Sequence, residues 1–249
     1  HKDNYYSINF QAFEEELKNG VEAVVICNPH NPIGRVWTDG EMEHIVDLCV
    51  EYGVYLLSDE IHADFGMTRP YTTAGRFEKI HDRLVVYTAI SKTFNMAGLG
   101  SSCMMIPNPE LKQKISDSYD ACWMFGPCDL AFTAMEAAYT HGDAWVDQQL
   151  AYLEGNVETV NTFVAEHMPG VQVTKHEGTF LMWLDMTCFG KSSRELTSIL
   201  AKEYGLALGD GSHYGTQAEG FMRLNIGCTR DTLIKGLEQM AVMYDKYVK

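Results

Sequence analysis

Glu22-Ala-Val-Val-Ile-Cys-Asn-Pro-His-Asn-Pro-Ile-Gly-Arg-Val-Trp-Thr-Asp-Gly-Glu41 decides the fold. Its first six residues form a short apolar run rich in β-branched side chains, the composition of a strand. Residues 28–34 carry two prolines and a glycine and make a loop. Thr38 with Glu41 three residues on is a capping box, in which each side chain satisfies a backbone N–H of the first helical turn. It opens a helix to about Tyr52. Gly53 ends that helix, Val54-Tyr-Leu-Leu57 begins a second strand, and Arg83-Leu-Val-Val-Tyr-Thr-Ala-Ile90 is a third. The strand ends near 27, 58 and 90 are spaced by 31 and 32 residues, the length of a strand–helix–strand unit. Continuously apolar strands joined by crossovers predict a parallel sheet covered on both faces.

The second half changes character. Apolar residues at 146, 150, 153, 157, 160 and 164 step by four and three, which is one long amphipathic helix over Trp145–Met168, ended by Pro169-Gly170. Short strands follow at 171–173 and 179–184. A helix over Ser193–Tyr204, a strand at 221–226 and a helix from Arg230 complete the chain. The expected organisation is a large α/β domain over 1–144 and a smaller α+β domain over 145–249, with the long helix as the joint.

The 249 residues are 46% hydrophobic and 21% charged, an ordinary globular composition. Lysine and arginine number 19 against 34 acidic residues, so the formal charge is −15. Such a surface repels phosphate backbones and anionic lipid, which argues against nucleic-acid and membrane partners. No apolar stretch approaches the roughly 20 residues of a membrane span, and the expected location is cytoplasmic. The seven cysteines include no C-x-x-C pair and several lie in apolar runs, so buried, reduced thiols are expected rather than a zinc or disulfide framework.

Ligands of an open α/β sheet bind beyond the carboxyl ends of its strands. There the first strand delivers Asn28 and Asn31, the second Ser58-Asp59-Glu60 with His62, and the third Ser91-Lys92. Singly, each has a structural explanation: a turn residue, a cap, a packed imidazole, a lysine with its ammonium reaching solvent. Together, an amide, a carboxylate, an imidazole and an amine on one edge describe a ligand site. A lysine straight after an apolar strand would be partly desolvated, which lowers its pKa and makes it nucleophilic toward carbonyls. Rival motifs fail. Gly98-Leu-Gly100 lacks a third glycine, Gly209-Asp-Gly211 has Gly215 one place too late, and no P-loop, H-E-x-x-H or G-x-S-x-G occurs. No metal site is expected.

Four ordered segments, Asn28-Pro-His-Asn-Pro-Ile-Gly-Arg-Val-Trp-Thr38, Ser58-Asp-Glu-Ile-His-Ala-Asp64, Ser91-Lys-Thr-Phe-Asn-Met-Ala-Gly98 and Gly220-Phe-Met-Arg-Leu-Asn-Ile-Gly227, closely resemble the class I/II aminotransferase superfamily. These are fold type I enzymes of pyridoxal 5'-phosphate (PLP). The wording is nearest the branch of cystathionine β-lyases of the MalY/PatB kind. The resemblance implies a three-layer α/β/α fold with a mostly parallel sheet, PLP as cofactor, and an amino acid as substrate. It puts the PLP Schiff base on Lys92, the pyridine nitrogen on Asp59, the ring 3-oxygen on His62 and Asn31, and the phosphate on Ser91. Arg223, with Asn31 beside it, would take the substrate α-carboxylate, which a planar guanidinium suits.

The branch implies β-elimination of a thiol from a cystathionine-like or cysteine-conjugate amino acid, with pyruvate and ammonia as the other products. Transamination on the same scaffold is the alternative. The resemblance starts midway through the usual cofactor domain, so a C-terminal fragment with an exposed sheet edge and little activity of its own is expected. A non-catalytic fragment that binds a partner through that edge is a third reading. The intact protein is expected to be a homodimer. Gly209 stands where relatives often carry a polar residue, and the loop 208–212 is given no role beyond lining a pocket.

Overall fold

The computed structural model describes residues 3–124 and 126–249. Two compact units divide the chain: Ser7–His30 with Val36–Gln148, and His1–Tyr6 with Asn31–Arg35 and Gln149–Lys249.

The first unit is built on β1 (Ala23–Cys27), β2 (Tyr55–Asp59) and β3 (Leu84–Thr88), which pair in parallel in that order. A short antiparallel β4 (Cys103–Met105) is added beside β3. Helices α1 (Phe10–Lys18) and α2 (Asp39–Glu51) come before and after β1. Thr38 and Glu41 form the expected capping box at the start of α2, which is worth about 1 kcal/mol. Met42, Ile45, Val46 and Cys49 of α2 are buried, and Leu17, Leu48 and Val54 form a core cluster with Phe10, Phe13 and Val24.

The expectation of a sheet covered on both faces fails at β1. Side chains alternate along a strand, so Val24 packs into that cluster while Val25 faces the other way and is 71% exposed. The unit continues through the one-turn α3 (Ile90–Thr93), α4 (Pro109–Ala121), α5 (Asp129–His141) and the start of α6 (Asp143–His167).

The second unit carries an antiparallel sheet in the order β5–β6–β8–β7, from β5 (Gln172–Val173), β6 (Leu181–Asp185), β7 (Gly209–Asp210) and β8 (Phe221–Asn225). α7 (Ser193–Tyr204) and α8 (Arg230–Tyr247) complete it. Leu181–Leu184 are buried together with Val160 and Val164 of α6, Leu196 and Leu200 of α7, and Leu233, Leu237, Met240 and Met243 of α8. Each helix thus turns one apolar stripe inward.

The cysteines are free, but only Cys49 is buried; Cys122, Cys128 and Cys188 are exposed. Apolar neighbours in sequence did not bury them: Cys122 follows the end of α4, Cys128 precedes α5, and Cys188 is exposed although Phe189 beside it is buried. Among the described residues no helix is long and apolar enough to cross a membrane, and no group of three or more His, Cys, Asp or Glu is placed to hold a metal ion.

Candidate functional site

In the first unit, the carboxyl ends of β1, β2 and β3 lie side by side, with Cys27 opposite Asp59 and Asp59 opposite Tyr87. Asp59 is half-buried; its Oδ1 accepts from the Ile61 amide at 3.2 Å, and its Oδ2 accepts no hydrogen bond among the described residues. His62 is 1% exposed, at the head of the 3₁₀ turn Ala63–Phe65. Two residues on, Asp64 accepts a hydrogen bond from the Thr93 hydroxyl at 2.7 Å, which ties this turn to the one that carries Ser91 and Lys92.

Lys92 sits in α3, immediately past β3. It is half-buried, and its ammonium makes no hydrogen bond or ion pair among the described residues. The turn is anchored beneath by Ile90, packed with Met135 and Ala138 of α5 and with Phe94, Met96 and Leu99. The structure therefore brings Asp59, His62, Ser91 and Lys92 to one sheet edge.

Asn28 does not join them as a ligand group. It is fully buried, its amide donates to the Thr72 carbonyl at 3.0 Å, and its Oδ1 accepts from the Trp37 amide at 3.0 Å. It braces the loop instead. Glu60 is likewise internal: it accepts from the Ser58 hydroxyl at 2.8 Å, from the Ala74 amide at 2.9 Å, and from the Tyr71 hydroxyl. Burial pushes its carboxyl above the ordinary range, against those hydrogen bonds. Glu60 thereby fixes the end of β2 that presents Asp59, a job the S-D-E-I-H wording did not separate from that of its neighbour.

The second unit holds Asn31 and Arg223. Arg223, on β8, is half-buried and donates from Nη1 to Asn31 Oδ1 at 3.0 Å. Nε and Nη2 donate to no group, and no carboxylate pairs with the guanidinium, among the described residues. That is an open fork of the shape a carboxylate accepts.

Asn31 reaches this position through a buried ion pair that the sequence did not disclose. Arg35 and Glu177 are both fully buried, with Nε donating to Glu177 Oε2 at 2.8 Å. Arg35 also donates to the Tyr6 carbonyl, and its guanidinium lies 4.2 Å from the centre of the Tyr5 ring. The Glu177 and Gly178 amides close on the Gly34 carbonyl at 2.7 and 3.0 Å.

Next to Glu177, buried His176 binds the Thr179 carbonyl through Nε2 at 2.9 Å. Burial lowers its pKa to about 4, only partly offset by that carbonyl and by Glu177. The unfolded chain therefore binds the extra proton first, at the ordinary value near 6.5. The stabilisation from neutral His176 is complete above about pH 6.5 and is lost as pH falls toward 4. Unfolding free energies measured across that window should drop in the wild type by on the order of 2 kcal/mol more than in His176→Gln. Parallel titrations of the two would contradict it.

The family model for aminotransferase class I and II matches residues 1–240. The chain is 38% identical over 242 residues to cystathionine beta-lyase PatB of Bacillus subtilis, covering 96% of this chain and 62% of that protein. It is 32% identical over 223 residues to protein MalY of Escherichia coli, covering 86% and 55%. Among solved structures, cystalysin from Treponema denticola, which contains a pyridoxal 5'-phosphate cofactor, superposes with a TM-score of 0.94 at 30% identity, covering 100% of this chain and 64% of that one. The chain thus spans less than two thirds of the length of these relatives.

Proposed function

The chain belongs to the class I and II aminotransferase family, and from that premise we propose that it serves a PLP-dependent C–S lyase acting on cysteine-derived amino acids of the cystathionine type. The reaction converts the amino acid and one water into a thiol, pyruvate and ammonium. Lys92 carries the PLP part of this reading, common to elimination and transamination: a half-buried lysine whose amine makes no hydrogen bond or ion pair among the described residues, on the same sheet edge as Asp59 and His62. The similarity to a cystathionine beta-lyase favours the C–S lyase.

The donor set fits the cofactor. Lys92 Nζ would take the aldehyde and Asp59 Oδ2 a protonated pyridine nitrogen, with buried His62 on the side of the ring 3-oxygen and Ser91 on that of the phosphate. When bound, PLP supplies an electron sink that acidifies the substrate Cα–H bond. The Asp59 carboxylate favours the protonated ring, since an opposite charge stabilises the charged form. Lys92 Nζ, once neutral, is the base for the α-proton. Arg223 would hold the α-carboxylate through its two free nitrogens, and Asn31 keeps the guanidinium plane oriented. A homodimer fits the large apolar side chains exposed around α4 and α5, namely Trp123, Met124, Leu130 and Phe132.

The test is product analysis with cystathionine. Pyruvate, ammonia and free thiol should form in equal amounts with PLP and no added keto acid. Turnover that requires a 2-keto acid and releases no thiol would replace this reading by transamination.

A further inference from the structure

β7 and β8 pair antiparallel with Gly209 directly opposite Arg223. A β-carbon at 209 would lie 3.2 Å from Arg223 Cβ and 3.3 Å from its Nε, so any larger residue there would push the arginine stem aside. The guanidinium carbon lies 5.4 Å from the centre of the Tyr214 ring, within cation–π range. Tyr214 is itself held. Trp183 meets its ring edge-on at 5.5 Å, and the Trp183 indole donates to the Tyr6 hydroxyl at 3.1 Å. The backbone reaches Tyr214 through the 3₁₀ turn Gly211–Tyr214, capped by Asp210, whose Oδ1 accepts from the Ser212 amide at 2.9 Å and its hydroxyl at 2.7 Å. A β-carbon at Gly211 would stand 2.2 Å from the Phe221 carbonyl oxygen, so the turn is seated tightly against β8.

We propose that Tyr214 and Gly209 are positioning residues for Arg223. The tyrosine ring and the space left by glycine hold the guanidinium so that its Nε and Nη2 edge is presented to a substrate α-carboxylate, while Asn31 occupies Nη1. This rests on the carboxylate-binding role given to Arg223 above. It also assigns a role to the 208–212 loop, which brings Gly209 opposite Arg223. A polar side chain at 209 would compete for the same nitrogens; glycine leaves them to the ligand and transfers orientation to the ring of Tyr214.

The experiment is labelling of Arg223 by phenylglyoxal, followed by peptide mass spectrometry in rising propionate, an unreactive carboxylate. Tyr214→Leu and Gly209→Ala should raise the half-protecting concentration by about 2- to 10-fold, the range of a half-exposed cation–π contact. Tyr214→Phe, which keeps the ring face and the packing on Trp183, should stay within about 2-fold of wild type. In turnover, the first two variants should raise KM by the same factor while kcat changes less than about 2-fold. Half-protection in Tyr214→Leu equal to wild type overturns the positioning role and leaves Arg223 as the carboxylate ligand. Equal losses in Tyr214→Phe and Tyr214→Leu also overturn it, because the ring face is then not what matters. Absence of any propionate protection in the wild type removes the role of Arg223 and this proposal with it.

Discussion

Lys92→Ala should eliminate the borohydride-stable pyridoxyl label and reduce lyase turnover by about 10³-fold or more, since one side chain serves as both cofactor anchor and base. The neighbouring structure predicts that this variant still folds. The turn around Lys92 is held by Ile90 against α5 and by the Thr93–Asp64 hydrogen bond, neither of which involves the lysine side chain. The measurement is incubation with PLP, reduction, and mapping of the modified peptide. A single label at Lys92, absent from Lys92→Ala, is the expected result. A label spread over the surface lysines in the wild type, with the variant indistinguishable, would remove Lys92 from the chemistry. Asp59→Ala provides a separate reading, because it removes the partner of the ring nitrogen and leaves the amine in place. It should retain labelling while losing turnover.

How far the sequence disclosed this arrangement depended on the range of the interactions involved. β1 to β3, the capping box of α2 and the helix Ser193–Tyr204 were legible because each is written within about a dozen consecutive residues. The lysine and aspartate followed from their place just past apolar strands. α4 and α5 were passed over for a physical reason. α4 steps Leu111, Ile115 and Tyr119 by four but buries none of them, and α5 is apolar on several sides while burying only Ala131, Met135 and Ala138, so neither pattern marks a face that the fold buries. Yet α5 supplies the floor beneath the Lys92 turn. The Arg35–Glu177 pair was invisible for the opposite reason, since its partners are 142 residues apart and nothing in either local sequence calls for the other. Tyr214 is the intermediate case. Its turn is readable from the glycines on either side, but its ring acquires meaning only through β8, where Arg223 stands opposite Gly209.

Breaking the Arg35–Glu177 pair should have the largest effect on stability of any single polar substitution in the second unit. Both side chains are fully buried, so Glu177→Ala leaves a guanidinium without its counter-charge in the interior, at a cost of about 3–5 kcal/mol. Arg35 cannot shed its proton to escape that cost. The same pair closes the loop from Asn31 to Gly34, because the Glu177 backbone holds the Gly34 carbonyl and the arginine holds the Tyr6 carbonyl. Denaturant unfolding of Glu177→Ala should therefore show a large fall in midpoint. Glu177→Gln, which preserves the shape and one acceptor, should lose less. Replacing both partners at once, in Arg35→Met with Glu177→Leu, should recover part of the loss, because no charge is then left buried. In the double variant the backbone bonds to the Gly34 carbonyl would remain, but residue 35 would no longer bind the carboxylate at 177 or the Tyr6 carbonyl. Asn31 would then hold Arg223 less firmly, and KM for the amino acid should rise even where stability is restored. A double variant as unstable as Glu177→Ala would show that packing around Tyr5 and Tyr6, and not the buried charge, sets the cost.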